Sequence, residues 1–231
     1  LGYGINEKAD VQATNISLSA EGSRFTLSTP YEQTSIQMRM VGLFSIYNAL
    51  AAVSACLAVG VTLESMKQSL YTIAGVPGRF EAVDENQPFT VLVDYAHTPD
   101  SLLNVLQTVK QFPKGDVTVV VGCGGDRDRT KRPLMAEISL HNSDYAIFTS
   151  DNPRSEDPEA ILRDMTNGLS GQFETIVDRK EAIYRAIERA DRGDVVVIAG
   201  KGHETVQVIG DRIYEFDDRK VAREAIKELK R

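Results

Sequence analysis

The stretch Thr90-Val-Leu-Val-Asp-Tyr-Ala-His-Thr-Pro99 decides the fold class of this protein. Its first residues are apolar without a polar alternation, which is typical of a strand covered on both faces of a sheet. Proline is favoured in the first turn of a helix, so Pro99 predicts that a helix follows directly. The stretch therefore predicts a strand over Thr90–Asp94, a short loop, and a helix over 99–112.

The same order of strand, loop and helix recurs downstream. The predicted strands are Val117–Gly122, Tyr145–Thr149, Thr175–Val177 and Val195–Ala199, and the predicted helices are Leu134–His141, Pro158–Leu169 capped by Asp157, Arg179–Ala190 and 218–229. Two further runs flank Gly210-Asp211, a turn signal for an antiparallel hairpin. The repetition predicts an α/β fold: a Rossmann-like, mostly parallel sheet with helices on both faces, closed by a C-terminal antiparallel hairpin.

The first part of the chain has a different pattern. Val11–Ser19 and Arg24–Ser28 alternate in polarity around Glu21-Gly22-Ser23, which predicts a hairpin. The Ala-rich run Ser45–Ala58 predicts a largely buried helix, and a second helix is predicted over Leu63–Ile73. Gly75-Val-Pro-Gly-Arg79 is a cluster of helix and strand breakers. We therefore predict two domains, 1–75 and 76–231.

Composition excludes several classes of protein. The 231 residues carry 26 Lys+Arg against 33 Asp+Glu, a net charge of −7, and this acidic balance argues against a nucleic-acid partner. No apolar run reaches the roughly 18 residues needed to span a membrane. Two distant cysteines, Cys56 and Cys123, fit reduced thiols. We expect a cytoplasmic protein with no membrane span.

Ligands of open parallel sheets bind beyond the carboxyl ends of the strands, so the loops after strands carry the functional prediction. Four of them are rich in polar residues: Asp94-Tyr-Ala-His-Thr-Pro, Gly122-Cys-Gly-Gly-Asp-Arg-Asp-Arg-Thr-Lys-Arg-Pro, Ser150-Asp-Asn-Pro-Arg-Ser-Glu and Gly200-Lys-Gly-His-Glu. The second loop lacks the G-x-x-x-x-G-K-[ST] pattern of a phosphate-binding loop. Its arginines, Arg127 among them, predict recognition of an anion, and a solvated charged loop is the alternative.

The third loop places Asp151, Asn152 and Arg154 around Pro153. A cation receptor and an anion receptor in one short segment suit a zwitterionic amino acid, although Asp-Asn-Pro is also a common turn sequence. In the fourth loop, Gly200 and Gly202 predict a close approach of the backbone. His97 and His203 follow strands, where a site is expected, whereas His141 lies within a predicted helix. The spacing of the histidines supports no zinc site, and no metal-binding residue is predicted.

Six segments in series resemble the Mur ligases of peptidoglycan synthesis, over nearly the whole chain. They are Tyr47-Asn-Ala-Leu-Ala-Ala, Pro77-Gly-Arg-Phe-Glu, Val93-Asp-Tyr-Ala-His-Thr-Pro-Asp, Gly124-Gly-Asp-Arg-Asp, Asp151-Asn-Pro-Arg and Gly200-Lys-Gly-His-Glu. The resemblance implies that residues 76–231 are the C-terminal domain of the family. It also implies that residues 1–75 are the end of the central ATPase domain.

The resemblance further implies an ATP- and Mg²⁺-dependent amide ligase. In such an enzyme ATP phosphorylates the terminal carboxylate of UDP-N-acetylmuramoyl-L-alanyl-D-glutamate, and an incoming amine attacks the acyl phosphate. The implied nucleotide-binding residues are Asn48 at the adenine, Arg79 at the phosphates, Asp94 at the ribose, and His97. The implied amino-acid pocket consists of Arg127, Asp151, Asn152, Pro153, Arg154, Gly200 and Glu204. Lys201 and His203 are expected as catalytic residues.

The Asp-Asn-Pro-Arg segment favours meso-2,6-diaminopimelate as the incoming amino acid. Arg154 can pair with its distal carboxylate and Asp151 or Glu204 with its distal ammonium, whereas lysine would leave the arginine buried and unpaired. The alternatives are a lysine-adding Mur ligase, a folylpolyglutamate-synthetase-like ligase and a non-catalytic amino-acid-binding module. The resemblance places the phosphate-binding loop, a modified lysine and the magnesium ligands before Leu1. We therefore expect a fragment that is inactive alone.

Overall fold

The computed structural model describes residues 1–19, 22–111 and 115–229, which fold as two units, Leu1–Gly75 and Val76–Arg231. Within this described part of the chain, no helix has the length and apolar character needed to cross a membrane. Glu21 of the predicted hairpin turn and Phe112 at the predicted end of a helix lie outside the described residues.

The first unit is a four-stranded sheet with two helices. Its elements are β1 (Tyr3–Gly4), β2 (Val11–Ser19), β3 (Gly22–Ser28), β4 (Gln33–Met38), α1 (Leu43–Ala58) and α2 (Leu63–Thr72). The strands lie in chain order; β2, β3 and β4 pair antiparallel, which confirms the predicted hairpin, and β1 pairs parallel with β2. Alternation along β3 buries Phe25 and Leu27 in one cluster with Ile46 and Leu50 of α1. The core of this unit therefore lies between the sheet and its helices.

The second unit follows the predicted alternation of strands and helices. Its elements are β5 (Glu81–Ala82), β6 (Thr90–Asp94), α3 (Pro99–Val109), β7 (Val117–Val121), α4 (Lys131–Asn142), β8 (Tyr145–Phe148), α5 (Pro158–Thr166), β9 (Phe173–Thr175), α6 (Arg179–Arg189), β10 (Val195–Ala199), β11 (Val206–Ile209), β12 (Arg212–Glu215) and α7 (Asp218–Leu229).

Six of these strands form one sheet in the order β5-β6-β10-β7-β8-β9. All neighbours pair parallel except β5, which is antiparallel to β6, and β11 and β12 form a separate antiparallel hairpin. The predicted α/β class and mostly parallel sheet are thus confirmed. Because β6, β7, β8 and β10 run parallel to one another, the loops that follow them leave the sheet along the same edge.

Helices cover the sheet on both sides. Val91, Val196 and Ile198 are buried in one cluster with Ala182 and Ile183 of α6 and with residues of α7. Leu92 and Val197 alternate with these residues and are also fully buried, so they face the opposite side of the sheet. Strands buried on both faces are the reason that this sequence shows continuous apolar runs.

Several predicted boundaries were wrong. The helix expected over Leu134–His141 spans Lys131–Asn142, and the helix expected over 99–112 ends at Val109. The strand expected at Thr175–Val177 lies at Phe173–Thr175, because pairing with Ala146–Phe148 of β8 fixes its register. The helix expected to reach Leu169 ends at Thr166, where Asn167 turns to extended backbone and Gly168 adopts a φ of +80°. The predicted cap is confirmed, since the Asp157 side chain accepts a hydrogen bond from the Glu159 amide.

Candidate functional site

The loops that follow β7 and β8 interlock through their backbones. The Gly125 amide donates to the Asn152 carbonyl at 2.9 Å, and Arg154 Nη1 donates to the Gly125 carbonyl at 2.8 Å. A Cβ atom on Gly125 would lie 1.8 Å from the Pro153 carbonyl oxygen. Glycine is therefore required at this position, because a larger residue would force the two loops apart.

A set of charged side chains reinforces the same interlock. Ser155 Oγ donates to the Asp126 carboxylate at 2.6 Å, while the Asp126 amide donates to Glu156 at 2.7 Å. Glu156 also pairs with Arg132 at 2.9 Å and with Arg129 at 2.8 Å. The hydrogen bonds from Arg132, then that from the Asp126 amide, lower the pKa of Glu156 to about 2. Glu156 is thus ionised and ties the two loops together at neutral pH.

Arg154 owes its position to main-chain contacts with the hairpin. Its backbone has a φ of +53°, its amide donates to the Val208 carbonyl at 3.0 Å, and its carbonyl accepts from the Gly210 amide at 2.7 Å. The half-buried guanidinium uses Nη1 for the carbonyls of Gly125 and Asn152. The sequence led us to expect that Arg154 would be buried without a partner if lysine were bound. This expectation was wrong for Nη1, because the carbonyls of Gly125 and Asn152 already accept hydrogen bonds from it. Among the described residues, Nη2 and Nε have no such partner.

Lys201, Asn152 and Glu204 form a compact polar cluster. The fully buried Lys201 ammonium donates to Asn152 Oδ1 at 3.1 Å and to Glu204 Oε2 at 3.0 Å. Asn152 Nδ2 also donates to Glu204 Oε2, at 3.0 Å. Burial acts to raise the pKa of Glu204, but the hydrogen bond and charge of Lys201, aided by Asn152 and Arg154, leave it below its ordinary value. The carboxylate is therefore held ionised beside the Asp-Asn-Pro-Arg loop.

Gly200 brings the fourth loop close to the third. Its φ is +115°, and a Cβ atom on it would lie 2.9 Å from Oδ2 of Asp151. The other carboxylate oxygen of Asp151 accepts from the Asn152 amide at 2.7 Å. Gly202 has a φ of +52°, and a Cβ atom there would lie 2.6 Å from the Gly78 carbonyl. The predicted close approach of the backbone at Gly200 and Gly202 is confirmed.

Asp94 lies at the carboxyl end of β6 and is buried. Its two carboxylate oxygens accept from the backbone amides of Phe80 at 2.7 Å and Ala96 at 2.8 Å. Burial raises the pKa of Asp94 despite these hydrogen bonds and the nearby charge of Arg79. The carboxyl group therefore fixes the segment around Phe80 to the end of strand β6.

Aromatic rings and a cation cluster beside Asp94. The Tyr95 ring lies 4.6 Å from the His97 ring and 5.2 Å from the His203 ring, measured between centroids. The Arg79 guanidinium lies 4.7 Å from the centroid of the same Tyr95 ring, a cation–π contact. The structure thus brings together Arg79, His97 and His203 around a tyrosine to which the sequence analysis assigned no role.

Two other predicted residues have exposed side chains. Asn48 lies on α1 in the first unit and is exposed. Arg127 is also exposed, and its Nη1 donates to the Asp126 carbonyl at 2.9 Å. Over residues 1–19, 22–111 and 115–229, no group of three or more His, Cys, Asp or Glu is arranged to hold a metal ion.

Comparison with known families identifies the family to which this fold belongs. Residues 78–202 match the family described as Mur ligase, glutamate ligase domain, and residues 1–56 match the Mur ligase middle domain. The chain belongs to the Mur ligase family. The resemblance inferred from the six sequence segments is confirmed, and the interlocked loops lie largely within the first matched range.

Individual Mur ligases match nearly the whole chain. The UDP-N-acetylmuramoyl-L-alanyl-D-glutamate–2,6-diaminopimelate ligase of Bacillus cereus is 58% identical over 225 residues, 97% of this chain and 46% of the relative. The same-named ligase of Geobacillus thermodenitrificans is 59% identical over 229 residues, 98% of this chain and 47% of the relative. A solved structure with that name is 38% identical with a TM-score of 0.76, covering 99% of this chain and 48% of its own. The chain thus spans about half the length of these relatives.

Proposed function

We propose that this chain carries the amino-acid-binding domain and part of the ATPase domain of a ligase that joins meso-2,6-diaminopimelate to UDP-N-acetylmuramoyl-L-alanyl-D-glutamate. The observation that carries the proposal is that a positively charged and a negatively charged side chain lie on loops at the same edge of the sheet. The guanidinium of Arg154 and the ionised carboxylate of Glu204 belong to loops that Asn152 connects through hydrogen bonds. The printed names of the relatives supply the substrate classes.

The distal end of diaminopimelate carries both a carboxylate and an ammonium group. We assign the carboxylate to the free Nη2 and Nε of Arg154, with Arg127 as a second, exposed cation. We assign the ammonium to Glu204 and Asp151. Charge-assisted hydrogen bonds of this kind are stronger than neutral ones, and the guanidinium fork matches a carboxylate geometrically. L-lysine lacks the distal carboxylate, so it forgoes the contact with Arg154.

Lys201 acts in this proposal through its neighbours. Its ammonium is fully buried and donates to Asn152 and Glu204. We therefore assign it the positioning of the two groups that face the amino acid, rather than contact with the reacting atoms. His203, whose side chain is exposed beside Tyr95, is the residue of the fourth loop that is available to the reaction.

We place the nucleotide at the cluster formed by Arg79, Asp94 and His97, and the adenine at Asn48. ATP supplies the phosphoryl group for the acyl phosphate; the amine then attacks the acyl carbon, the carbon–oxygen bond to phosphate breaks, and phosphate leaves. No step is assigned to Mg²⁺ on these residues. We assign Arg79 to the ATP phosphates. The 231 residues contain no G-x-x-x-x-G-K-[ST] sequence, so we assign the phosphate-binding loop to another part of the ligase. We expect no phosphate release from ATP by this chain alone.

Calorimetric titration of the chain with meso-diaminopimelate and with L-lysine tests the proposal. We expect selective binding of diaminopimelate, weakened at least about tenfold in Arg154→Ala because a charge-assisted contact is lost. Arg163→Ala is the matched control, since Arg163 is exposed and pairs with exposed carboxylates on α5 and its cap. Binding of lysine at equal strength would favour the lysine-adding alternative, and binding of neither amino acid would contradict a preformed receptor.

A further inference from the structure

Arg179 is fully buried although it carries a permanent positive charge. It is the first residue of α6, where the helix dipole disfavours a cation. Asp218, the first residue of α7 and also fully buried, compensates the charge with two hydrogen bonds, at 2.8 Å to Nε and at 2.7 Å to Nη2. Burying an ion pair costs desolvation free energy. The further hydrogen bonds of Arg179 therefore indicate the role of the pair.

The remaining hydrogen bonds of Arg179 go to the ends of two strands. Nη2 donates to the Ala199 carbonyl at 3.0 Å, and Nη1 donates to the Ser150 carbonyl at 3.4 Å. Ala199 is the last residue of β10, and Ser150 follows β8 by two residues. These strands are not neighbours, because β7 lies between them. The Arg179 guanidinium therefore reaches across β7. It connects the loop after β8 with the loop after β10, whose strands do not hydrogen-bond to each other.

The two carbonyls directly precede the residues assigned to the amino acid. Ser150 is followed by Asp151, and Ala199 is followed by Gly200. We propose that Arg179 is a positioning residue that fixes the separation of the Asp-Asn-Pro-Arg loop from the Gly-Lys-Gly-His-Glu loop, with Asp218 orienting its guanidinium. The inference rests on the proposed function for the identity of the ligand. Arg179 itself does not touch the amino acid.

The planar fork is essential to this role. Arginine directs several N–H donors at fixed angles, so it can serve a carboxylate and two carbonyls at once, whereas lysine carries a compact point charge. Arg179→Lys keeps the charge beside Asp218 but loses the fixed directions. The double variant Arg179→Met/Asp218→Leu removes both charges and leaves no unpaired ion in the interior.

Amide hydrogen exchange on the 231-residue chain tests the positioning without any ligand. The Arg154 amide reports on the Asp-Asn-Pro-Arg loop, the Gly200 amide on the Gly-Lys-Gly-His-Glu loop, and the Val197 amide on the buried strand β10. We expect exchange at Arg154 and Gly200 to rise about tenfold or more in Arg179→Lys, while Val197 is unchanged. Arg219→Met is the matched control, because Arg219 pairs with Asp217 and Glu81 at the same helix end. Unchanged exchange in both loops would overturn the inference.

Titration with meso-diaminopimelate then links the positioning to binding. We expect the Kd to rise about tenfold or more in Arg179→Lys and in the double variant, with Arg219→Met equal to the parent. If loop exchange accelerates while the Kd stays at the parental value, the positioning role is wrong. If the parent chain does not bind diaminopimelate, the proposed receptor is contradicted, and the exchange measurement still decides whether Arg179 holds the loops. If the double variant does not fold, Arg179→Lys decides alone.

Discussion

Replacing Gly125 with alanine tests the interlock of the two loops at its tightest point. The added methyl group would meet the Pro153 carbonyl oxygen at 1.8 Å and its carbon at 2.8 Å. Both atoms belong to the backbone, so they cannot rotate away as a flexible side chain would. The Asp-Asn-Pro-Arg loop must therefore shift as a whole.

The structure sets the magnitude of the effect. Overpacking a tight site costs about 1–3 kcal/mol. The shift also breaks the hydrogen bond from the Gly125 amide to Asn152, worth about 1 kcal/mol, and the charge-assisted one from Arg154, worth about 1.5–3 kcal/mol. We expect Gly125→Ala to lower the free energy of unfolding by about 3–5 kcal/mol, after allowing for partial relaxation.

Urea denaturation followed by circular dichroism measures this change. With a slope of about 2 kcal/mol per molar urea, the midpoint should fall by about 1.5–2.5 M. Gly124→Ala is the matched control, because its methyl group would meet the movable Nη1 of Arg154 at 2.8 Å rather than backbone. We expect the control to cost about 1.5–3 kcal/mol, the value of one displaced charge-assisted hydrogen bond. Equal losses in the two variants would refute the reasoning.

Three further predictions concern other parts of the second unit and the two thiols. Because the pKa of Glu156 falls from 4.5 to about 2 on folding, its stabilising contribution is complete above pH 4.5 and is lost as the pH falls toward 2. The urea midpoints of the parent and of Glu156→Gln should therefore converge over that pH range. A constant difference between the two midpoints would contradict this prediction. Gly78→Ala should destabilise the chain by about 2–5 kcal/mol, and Gly210→Ala by about 1 kcal/mol. Both glycines have a positive φ, but only the methyl group at Gly78 would meet backbone, at 2.0 Å from the His203 nitrogen. Burial raises the pKa of Cys123 to about 12, so iodoacetamide at pH 8 should modify the half-buried Cys56 first, and peptide mapping that finds Cys123 modified first would be inconsistent with this.

The sequence alone located those strands whose ends are marked by a change from apolar to charged residues. Thr90–Asp94 was predicted without error, because an apolar run buried on both faces ends at a charged residue. The strand β9 was misplaced by two residues, because Thr175-Ile-Val has the higher strand propensity but pairing with β8 selects Phe173-Glu-Thr. The two-residue strand β5 was missed, because its partner β6 lies across a loop and its own sequence carries no periodicity.

The site was predictable to the level of its loops but not of its contacts. Residues after parallel strands were expected to converge, and Asp151, Arg154 and Glu204 do lie on loops at one edge of the sheet. The interlock could not be foreseen, because Asp126 and Ser155 are 29 positions apart and short-range patterns do not report such pairs. Arg179 was overlooked because an arginine after a helix cap is ordinarily solvated.

The hairpin of β11 and β12 has a consequence for how the sequence of this Mur ligase family member can change. It holds Arg154 through the main-chain atoms of Val208 and Gly210, while the side chains of β12 are exposed throughout. Substitutions along β12 therefore leave the Arg154 guanidinium in place, so the sequence of β12 can vary. An inserted or deleted residue before Gly210 would instead change the register of the hairpin and carry the arginine with it. Insertions or deletions in this hairpin, rather than point mutations, are therefore the changes that would move the Arg154 guanidinium.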